Sequence, residues 1–553
     1  MKLLHRDCLG KIAKITINGI ETITPVVLFI QTPRFKDWEK AEILLTDVQK
    51  NGKPNIINSG SIFYPKFFET EFAIPQYNPA SDSELLCFGK ELYAISNPNS
   101  IFKSSKKFAQ FIIDVRERVG YEALIYLPSF GEPMNYALLS YCGIDLFDSM
   151  RLILNARKGL YLKNDGRYKE LECNCPSCTS KKNFDRILEH NYYTAYEEIK
   201  FIQSAIRNGF LRELVERRVR ADTWMVEVLR FLDLHHYDKI EKYYPIYRKC
   251  KFLATSKESL FRPDVLRFRK RIEERYRKPK CTKILLLLPC SAKKPYSGSK
   301  SHKIFSKIIM KTEKQNIIHE VIVTSPLGIV PRELELFYPA KQYDIPTTGL
   351  WDEYEIKMIN DAIGSLLKKS NYEEVISHLK NFPIEHKCKE TFGSNEKLSE
   401  ILNETIAPYE KISSKERIFD NILSIANFQF GDVCEEIMKK CKVELKLPNT
   451  IITRDGKKIA TLSEEKGMLL LTLEGAKALA KRREYFVEID DFVPKGDVFV
   501  CGLKSADEKI RIGDEVAVLY KHELRAVGTA KMSGYEMLKA KEGSCVKIRE
   551  YIK

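Results

Sequence analysis

The sequence has no long apolar run, and none of its hydrophobic stretches approaches the roughly 18 consecutive residues of a membrane span. Its first seven residues are charged early and poor in apolar side chains, which is not typical of a secretory signal. Internal repeats and long low-complexity tracts are also absent. These absences exclude integral membrane and repeat proteins, and we expect a cytoplasmic protein with no membrane partner.

Acidic residues are too few to balance the basic ones, since 75 Asp and Glu face 91 Lys and Arg and leave a net charge of +16. An excess of this size favours a polyanionic partner, and nucleic acid is the first expectation. Residues 261–283 alone contain ten Lys or Arg against three acids. This segment predicts either a solvated helix face with some internal pairing or a helix whose Arg267, Arg271 and Arg275 contact phosphates.

A disulfide framework is lacking as well, because most of the fourteen cysteines are isolated. In a reducing compartment a cysteine cluster indicates a metal more often than a disulfide. Cys173, Cys175 and Cys178 form such a cluster, and His190 follows them. Three thiolates and one imidazole suit a closed, structural Zn²⁺ site. The alternatives are a cluster of buried thiols and a histidine that is merely packed.

Composition and periodicity divide the chain of 553 residues into four blocks, which predict a multidomain α/β protein. The predicted domains are residues 1–245, 246–395, 396–475 and 476–553. In the second, strands over 284–288 and 320–324 alternate with helices over 304–310 and 355–368, which predicts a parallel sheet. In the fourth, short strands over 485–489, 497–500, 515–519 and 525–530 predict a small β-barrel.

The cysteine cluster belongs to a longer pattern that resembles the tRNA-guanine transglycosylases. Residues 142–149 and 155–159 resemble that family's segment around its catalytic aspartate. The resemblance implies a degenerate (β/α)8 domain with a zinc site over residues 1–245, with Asp148 at the nucleophile position. The family's second aspartate lies in an Asp-Ser-Gly-Gly-Phe-Gln stretch, whose nearest match here is 58–63, with Asn58 in place of the acid. Base exchange needs both groups, so we expect this domain to bind tRNA and support the fold.

The last two blocks resemble RNA-binding modules. Residues 510–516, 526–530 and 532–537 resemble a PUA domain, which implies a β-barrel that binds structured RNA. Residues 426–431 and 471–475 resemble the small α+β domain, C2-like, that precedes PUA in archaeal transglycosylases. The third block is therefore expected to be that small α+β domain.

The segment 289–302 holds a reactive-site composition between a predicted buried strand and a predicted helix. A loop between a strand end and a helix is where α/β proteins place their chemistry. Within fourteen residues it carries a thiol, an ammonium, a phenol, hydroxyls and an imidazole. The candidate catalytic residues are Cys290, Lys294, Tyr296, Ser299 and His302.

These residues also fit a Pro-Cys-x-x-x-Lys-Pro-Tyr-x-x-Ser-x-x-His pattern, by which the chain resembles the archaeosine synthase family. The resemblance covers essentially the whole chain. It implies a transferase that adds a nitrogen nucleophile to the nitrile of 7-cyano-7-deazaguanine in the D-loop of tRNA. The implied amine donor is lysine, glutamine or ammonia, as an amidinotransferase or a lysine transferase. A radical-SAM partner enzyme and a homodimer are further implied associations.

Each candidate residue has a role that its chemistry suggests. Cys290 could add to the nitrile as a thiolate, or the amine could attack directly. Lys294 could lower the thiol pKa or bind a phosphate, and His302 could move protons. Tyr296 and Ser299 could hydrogen-bond the base. Candidate substrate-binding residues are Asp148, Arg332 and Asp344. An active transglycosylase and a non-catalytic tRNA-binding subunit are the alternative functions.

Overall fold

In the computed structural model, the described residues are 2–17, 20–32, 34–35, 38–46, 55–57, 85–88, 92–95, 98–446 and 449–552. The chain divides into two compact units, Met1–Tyr244 and Pro245–Lys553. In the described ranges, every helix is too short or too polar to cross a membrane. The stretch 58–63, with Asn58, lies outside the described residues.

The first unit has twelve described strands and nine described α-helices. The strands are β1 (Lys2–Asp7), β2 (Gly10–Ile17), β3 (Ile20–Ile23), β4 (Val26–Gln31), β5 (Ile43–Thr46), β6 (Asn55–Ile57), β7 (Leu85–Phe88), β8 (Leu92–Ile95), β9 (Leu124–Tyr126), β10 (Leu146–Asp148), β11 (Tyr161–Lys163) and β12 (Gly166–Tyr168). The helices are α1 (Pro98–Phe102), α2 (Ser105–Val119), α3 (Tyr136–Tyr141), α4 (Met150–Arg157), α5 (Pro176–Ser180), α6 (Asn183–Asn208), α7 (Leu211–Arg218), α8 (Thr223–His235) and α9 (Tyr237–Ile240).

The main sheet of this unit has the order β6-β5-β4-β10-β9-β8-β7. All of its neighbouring strands are parallel except β7 and β8. The residues of β4 and β10 are buried throughout, as expected for parallel strands covered on both faces. Their side chains join one core with those of α2, α6 and α8. This is the sheet expected of a degenerate (β/α)8 domain, and Asp148 ends β10.

The second unit has seventeen described strands and eight described α-helices. The strands are β13 (Phe252–Leu253), β14 (Ile284–Pro289), β15 (Ile318–Thr324), β16 (Gly328–Pro331), β17 (Tyr343–Asp344), β18 (Glu374–Ser377), β19 (Lys389–Glu390), β20 (Lys442–Lys446), β21 (Asn449–Arg454), β22 (Lys457–Ser463), β23 (Met468–Leu471), β24 (Phe486–Ile489), β25 (Val498–Phe499), β26 (Leu503–Ala506), β27 (Glu515–Tyr520), β28 (Glu523–Ala530) and β29 (Ser544–Tyr551). The helices are α10 (Pro263–Glu274), α11 (Lys300–Met310), α12 (Glu353–Lys369), α13 (Asn395–Ile406), α14 (Ser414–Phe430), α15 (Cys434–Met438), α16 (Leu473–Arg482) and α17 (Gly534–Lys539).

A five-stranded sheet of order β16-β15-β14-β18-β19 organises the first part of this unit. The predicted parallel sheet is confirmed for β15, β14, β18 and β19, while the edge strand β16 is antiparallel. Side chains of β14 alternate between two cores. Ile284, Leu286 and Leu288 pack with α11 and α13, and Leu285 and Leu287 face the opposite side. Both faces of β14 are therefore covered, and only its ends are open to a ligand.

Helix α13 packs on this sheet, because Leu398, Leu402 and Ile406 share a core with β14. The helix begins at the predicted boundary between residues 395 and 396, so the α/β core extends past that boundary. The finer division of residues 246–553 into three domains stays a prediction.

The remainder of the unit contains an antiparallel sheet, β20-β21-β22-β23, and a six-stranded sheet of order β25-β29-β28-β27-β24-β26. The six-stranded sheet corresponds to the predicted C-terminal β-barrel. Helix α16 contacts β22 of the first sheet and β27 and β28 of the second. A single hydrophobic core continues from Leu285 through Phe428 to Val516.

The prediction that α10 presents Arg267, Arg271 and Arg275 to phosphates is wrong. Arg267 and Arg271 are buried, and Arg267 donates to the carbonyl oxygen of Pro245 at 3.0 Å. Arg275 donates to the hydroxyl of Tyr485 at 2.8 Å. Burial lowers the pKa of Arg271 to about 10, and the nearby Asp514 carboxylate opposes that shift. These arginines hold the second unit together instead of facing solvent.

Candidate active site

The reactive loop begins where β14 ends. Cys290 follows Pro289 directly, and the loop returns to the sheet through α11. Cys290 is half-buried and packs against the core of the second unit. Burial raises the pKa of its thiol, and the Lys294 ammonium and the Thr324 hydroxyl oppose that shift. The thiol is thus protected from solvent but close to a cation.

The Lys294 ammonium is enclosed, and among the described residues its nitrogen has no hydrogen-bond partner. It lies 4.0 Å from the ring centroid of Tyr343 and 5.9 Å from that of Tyr296. Burial lowers the pKa of Lys294, while Cys290 and Asp344 act in the opposite direction. A buried ammonium normally has hydrogen-bond acceptors around it, so this group is suited to a ligand or to a proton transfer.

Three hydroxyl groups form a chain behind the thiol. The Tyr296 and Tyr343 hydroxyls are hydrogen-bonded to each other, and Thr324 is bonded to Tyr343. Thr324 lies at the end of β15, so the chain joins the ends of two neighbouring strands. Tyr296 is completely buried, and burial raises its pKa well above the usual value. The buried Tyr296 side chain therefore belongs to the packed interior that supports the site.

Ser299 and His302 are occupied by contacts that hold the loop. The Ser299 hydroxyl caps α11 by accepting the backbone N–H of His302 at 3.2 Å. His302 has a fully buried ring, with Nε2 3.0 Å from the carbonyl oxygen of Pro289 and Nδ1 2.7 Å from an Arg332 nitrogen. Burial and the Arg332 charge lower its pKa to about 3. The imidazole is therefore neutral at physiological pH.

The predicted substrate-binding residues of this unit also have internal partners. Arg332 pairs with Glu320 at 2.7 Å and Glu335 at 3.0 Å, in addition to His302. Asp344 forms an exposed ion pair with Lys251 at 2.5 Å. Arg332 thus holds His302 of the loop in place, and Asp344 lies at the surface, outside the lining of the neighbouring cleft.

A cleft of about 510 Å³ opens at the carboxyl ends of β14, β15 and β18. This is the edge at which open α/β sheets bind ligands. Its lining includes Cys290, Phe305, Ser325, Trp351, His378 and Asn395. The Ser325 hydroxyl oxygen is buried and has no hydrogen-bond partner within the described ranges, whereas the Asn395 side chain lies beside His378. Of the five candidate catalytic residues, Cys290 alone is in this lining.

Several residues of this site were not among the predicted ones. Thr324 ends β15 and His378 follows β18, so the rule that ligands bind at strand ends would have found them, as it indicates the loop that begins at Ser325. His378 is buried, and its Nδ1 lies 2.7 Å from the Thr391 hydroxyl oxygen. Strand β18 has only four residues, which makes it difficult to recognise from the sequence. Trp351 carries no local signal of this kind.

The cysteine cluster of the first unit has the geometry of a metal site. The ligand atoms of Cys173, Cys175, Cys178 and His190 all lie within 4.8 Å of one another. His190 Nδ1 is 3.6 Å from the sulfurs of Cys175 and Cys178, and its Nε2 is 3.1 Å from the Leu162 carbonyl oxygen. A carbonyl that fixes the second ring nitrogen is typical of histidine ligands. The donor set fits a metal ion that is bound tetrahedrally by thiolates and imidazole.

Asp148 of the same unit has both of its carboxylate oxygens occupied. One accepts the Tyr126 hydroxyl and the Ser129 backbone N–H, each at 2.7 Å, and the other accepts the Met150 N–H at 2.9 Å. The side chain is almost completely buried, and burial raises its pKa despite these bonds. In this arrangement the carboxylate joins the end of β10 to the segment at the end of β9.

Comparison with known proteins places four family models on the chain. They are the queuine tRNA-ribosyltransferase (residues 80–223), a domain of unknown function (265–446), the patch-forming domain C2 of tRNA-guanine transglycosylase (420–485) and the PUA domain (487–552). The archaeosine synthase subunit alpha of Methanosarcina acetivorans is 35% identical over 83% of this chain and 79% of its own length. The archaeosine synthase of Haloferax volcanii is 32% identical over 89% and 86%. A tRNA-guanine(15) transglycosylase of Methanocaldococcus jannaschii is 28% identical over 95% and 81%.

The fold and its sites define a transglycosylase-like protein that carries an additional α/β domain with a thiol site and a C-terminal PUA domain. Within that class, the chain belongs to the archaeosine synthase family.

Proposed function

We propose that this protein adds an amine to the nitrile of 7-cyano-7-deazaguanine in the D-loop of tRNA, a step of archaeosine biosynthesis. Family membership supports the substrate, and the PUA domain supports an RNA partner. The chemistry is supported chiefly by one observation: Cys290 lines the strand-end cleft beside an enclosed Lys294 ammonium.

The reaction we propose proceeds through the sulfur of Cys290. The thiolate adds to the nitrile carbon, so that a C–S bond forms and one C–N π bond breaks. The nitrogen takes up a proton, which Lys294 donates. A neutral amine then attacks the same carbon and gives one proton to the now neutral Lys294, the C–S bond breaks, and the thiolate leaves. The net change is addition of an N–H across the nitrile, without an oxidant, a reductant or a lost group.

The surrounding residues position these two groups. The Tyr343 ring holds the Lys294 ammonium through a cation–π contact. The loop is held by the hydrogen bonds of His302 to the Pro289 carbonyl oxygen and to Arg332. Ser299 caps the helix that follows it. We therefore assign His302, Ser299, Arg332 and Tyr296 positioning roles, and Asp344 a place at the surface outside the cleft lining.

The first unit supports binding rather than base exchange in this proposal. Both carboxylate oxygens of Asp148 accept internal hydrogen bonds, which favours a structural role over a nucleophilic one. Zn²⁺ is the metal that we propose for the three cysteines and His190, because their thiolates and imidazole suit it. When bound, it would stabilise the start of α6.

The decisive experiment measures the mass of the modified nucleoside. Purified protein is incubated with tRNA that carries the nitrile base and with lysine, glutamine or ammonia in parallel. We expect the nucleoside to gain the whole mass of lysine or of ammonia when that amine adds directly. If glutamine supplies only its amide nitrogen, water replaces that nitrogen, glutamate leaves, and the gain is that of ammonia. A lysine adduct would need a partner enzyme, such as a radical-SAM protein, to cleave it. No mass change with any donor would contradict the proposed function.

The covalent step has a separate test. Cys290→Ala should abolish the mass change while tRNA affinity stays normal. Cys388→Ala is the matched control, since Cys388 is another half-buried cysteine outside the cleft. If Cys290→Ala keeps most of its turnover, the amine attacks the nitrile directly and no thioimidate forms.

A further inference from the structure

The first unit contains a second cleft, of about 540 Å³, that lies on residues apart from Asp148 and the cysteine cluster. It is formed by the end of α1, the segment after β9, the start of α4, β12 and the start of α8. Its lining includes Phe102, Phe130, Glu132, Arg151, Arg167 and Trp224.

Aromatic rings form one wall of this cleft. The rings of Phe102 and Trp224 are stacked, with centroids 4.9 Å apart and an interplanar angle of 16°. The ring centroids of Phe130 and Phe102 are 3.8 Å apart, and the Arg151 guanidinium carbon is 4.9 Å from the Phe130 centroid. Proteins that bind unpaired RNA hold splayed bases on aromatic faces and on guanidinium planes of this kind.

Two hydrogen-bond donors at the cleft have no partner in the described part of the chain. They are the indole nitrogen Nε1 of Trp224 and the Nε of Arg151, both buried. A buried indole N–H usually finds an acceptor, so a ligand with acceptor atoms would complete this site. The almost fully buried Glu132, which also lines the cleft, accepts the Nε–H of Arg167 at 2.9 Å. That ion pair adds charged groups to the lining of the cleft.

We propose that this cleft binds one unstacked nucleobase of RNA. The base would stack on the Phe102–Trp224 wall, with its acceptor atoms toward Trp224 Nε1 and Arg151 Nε. The inference rests on the proposed function for the identity of the RNA, which is tRNA. It gives the first unit a role of its own, namely holding a base while chemistry takes place at Cys290.

Fluorescence can test this directly, because the chain has three tryptophans, Trp38, Trp224 and Trp351. In a Trp351→Phe protein, the tryptophan fluorescence comes from Trp224 and from the buried Trp38. We expect an unmodified tRNA transcript to quench it with a saturable dependence on concentration. The matched control is Trp224→Phe/Trp351→Phe, which keeps Trp38 alone and should not be quenched. Equal quenching of both proteins, or of neither, would overturn the proposal.

Affinity provides the second arm. Trp224→Ala should weaken binding of the transcript roughly tenfold or more, because a stacking surface is lost. Trp224→Phe keeps a ring for packing and should bind more tightly than Trp224→Ala. If Trp224→Ala does not fold, Arg151→Gln decides, and it should also weaken binding several-fold. Unchanged affinity in a folded variant would refute the base site.

Both arms use tRNA without the nitrile base. Intact quenching with no amine addition would therefore refute the proposed function alone. Amine addition without quenching would refute the base site alone.

Discussion

Lys294 and Cys290 are the two residues whose charges matter most for the proposed chemistry. Each is disfavoured in its charged form by burial, and each favours the charge of the other. A pair of this kind can transfer one proton between its members when the substrate arrives. The thiol would become reactive without being permanently ionised, which protects it from oxidation.

This coupling predicts the reactivity of the thiol toward an alkylating agent. Because the Lys294 ammonium lowers the pKa of Cys290, Lys294→Met should raise it and reduce the thiolate fraction at neutral pH. We expect iodoacetamide to modify Cys290 several-fold more slowly at neutral pH, with the midpoint of the rate profile at a higher pH. Mass spectrometry of the Cys290 peptide over a pH series measures both. Lys293→Met is the control, since Lys293 is exposed, and an identical profile for both variants would contradict the coupling.

A second prediction at this scale concerns the metal ligands. Freshly purified protein should contain one zinc ion per chain by elemental analysis. Cys175→Ser should lose the metal and lower the thermal unfolding midpoint, since metal binding contributes directly to folding free energy. Asn174→Ala changes an exposed residue between two of the ligands and should keep both metal and midpoint. Protein purified without metal would show that the cluster is only a group of thiols.

At the scale of elements, the sequence predicts the position of strands and helices better than the contacts of helix α10. The strand Ile284–Pro289 and the helix Lys300–Met310 agree with the predicted 284–288 and 304–310, because an apolar run and a helical period are local signals. The buried face of α10 is a different matter. Its arginines look like a surface pattern, and their partners Tyr485 and Asp514 lie more than 200 residues further on.

The same limit applies to the active site. The loop that contains Cys290 and Lys294 was evident from its composition after a strand. The rest of the cleft lining was not evident from the sequence. Trp351, His378 and Asn395 come from separate segments, which are brought together by the order of the strands in the sheet. Contacts of this range depend on the complete fold.

The internal contacts of the α10 arginines predict an effect on stability. Arg275→Ala should lower the stability of the second unit by about 1–3 kcal/mol, because the Tyr485 hydroxyl and the Gln429 carbonyl lose a buried donor. The slope of log affinity for tRNA against log salt should not change, since no phosphate contact is removed. Lys280→Ala, at an exposed position beyond the helix, is the control for stability. A smaller slope with unchanged stability would restore the phosphate-contact interpretation.

At the scale of the whole molecule, the proposals divide the work between the two units. Base exchange would depend on Asp148 in the first unit, whereas nitrile addition would depend on Cys290 in the second. The first unit would keep the fold of a transglycosylase but use it to hold RNA.

This division predicts the behaviour of Asp148→Asn. The variant keeps one oxygen acceptor and should fold with a modest loss of stability, because part of the network around the carboxylate is broken. With nitrile-bearing tRNA at saturation, the mass change should proceed at nearly the normal rate, in contrast to Cys290→Ala. Loss of that activity in a folded, tRNA-binding Asp148→Asn protein would show that the first unit takes part in the chemistry.

The continuous hydrophobic core of the second unit also has a genetic consequence. Leu285 in β14 and Val516 in the C-terminal barrel belong to one packed cluster, and α16 contacts both β22 and the barrel strands β27 and β28. A premature stop codon that removes the barrel would therefore expose apolar residues of this shared core, and the shortened product should be degraded. For the same reason, we do not expect recombination to replace this barrel independently of the α/β domain that contains Cys290. The two should be inherited together.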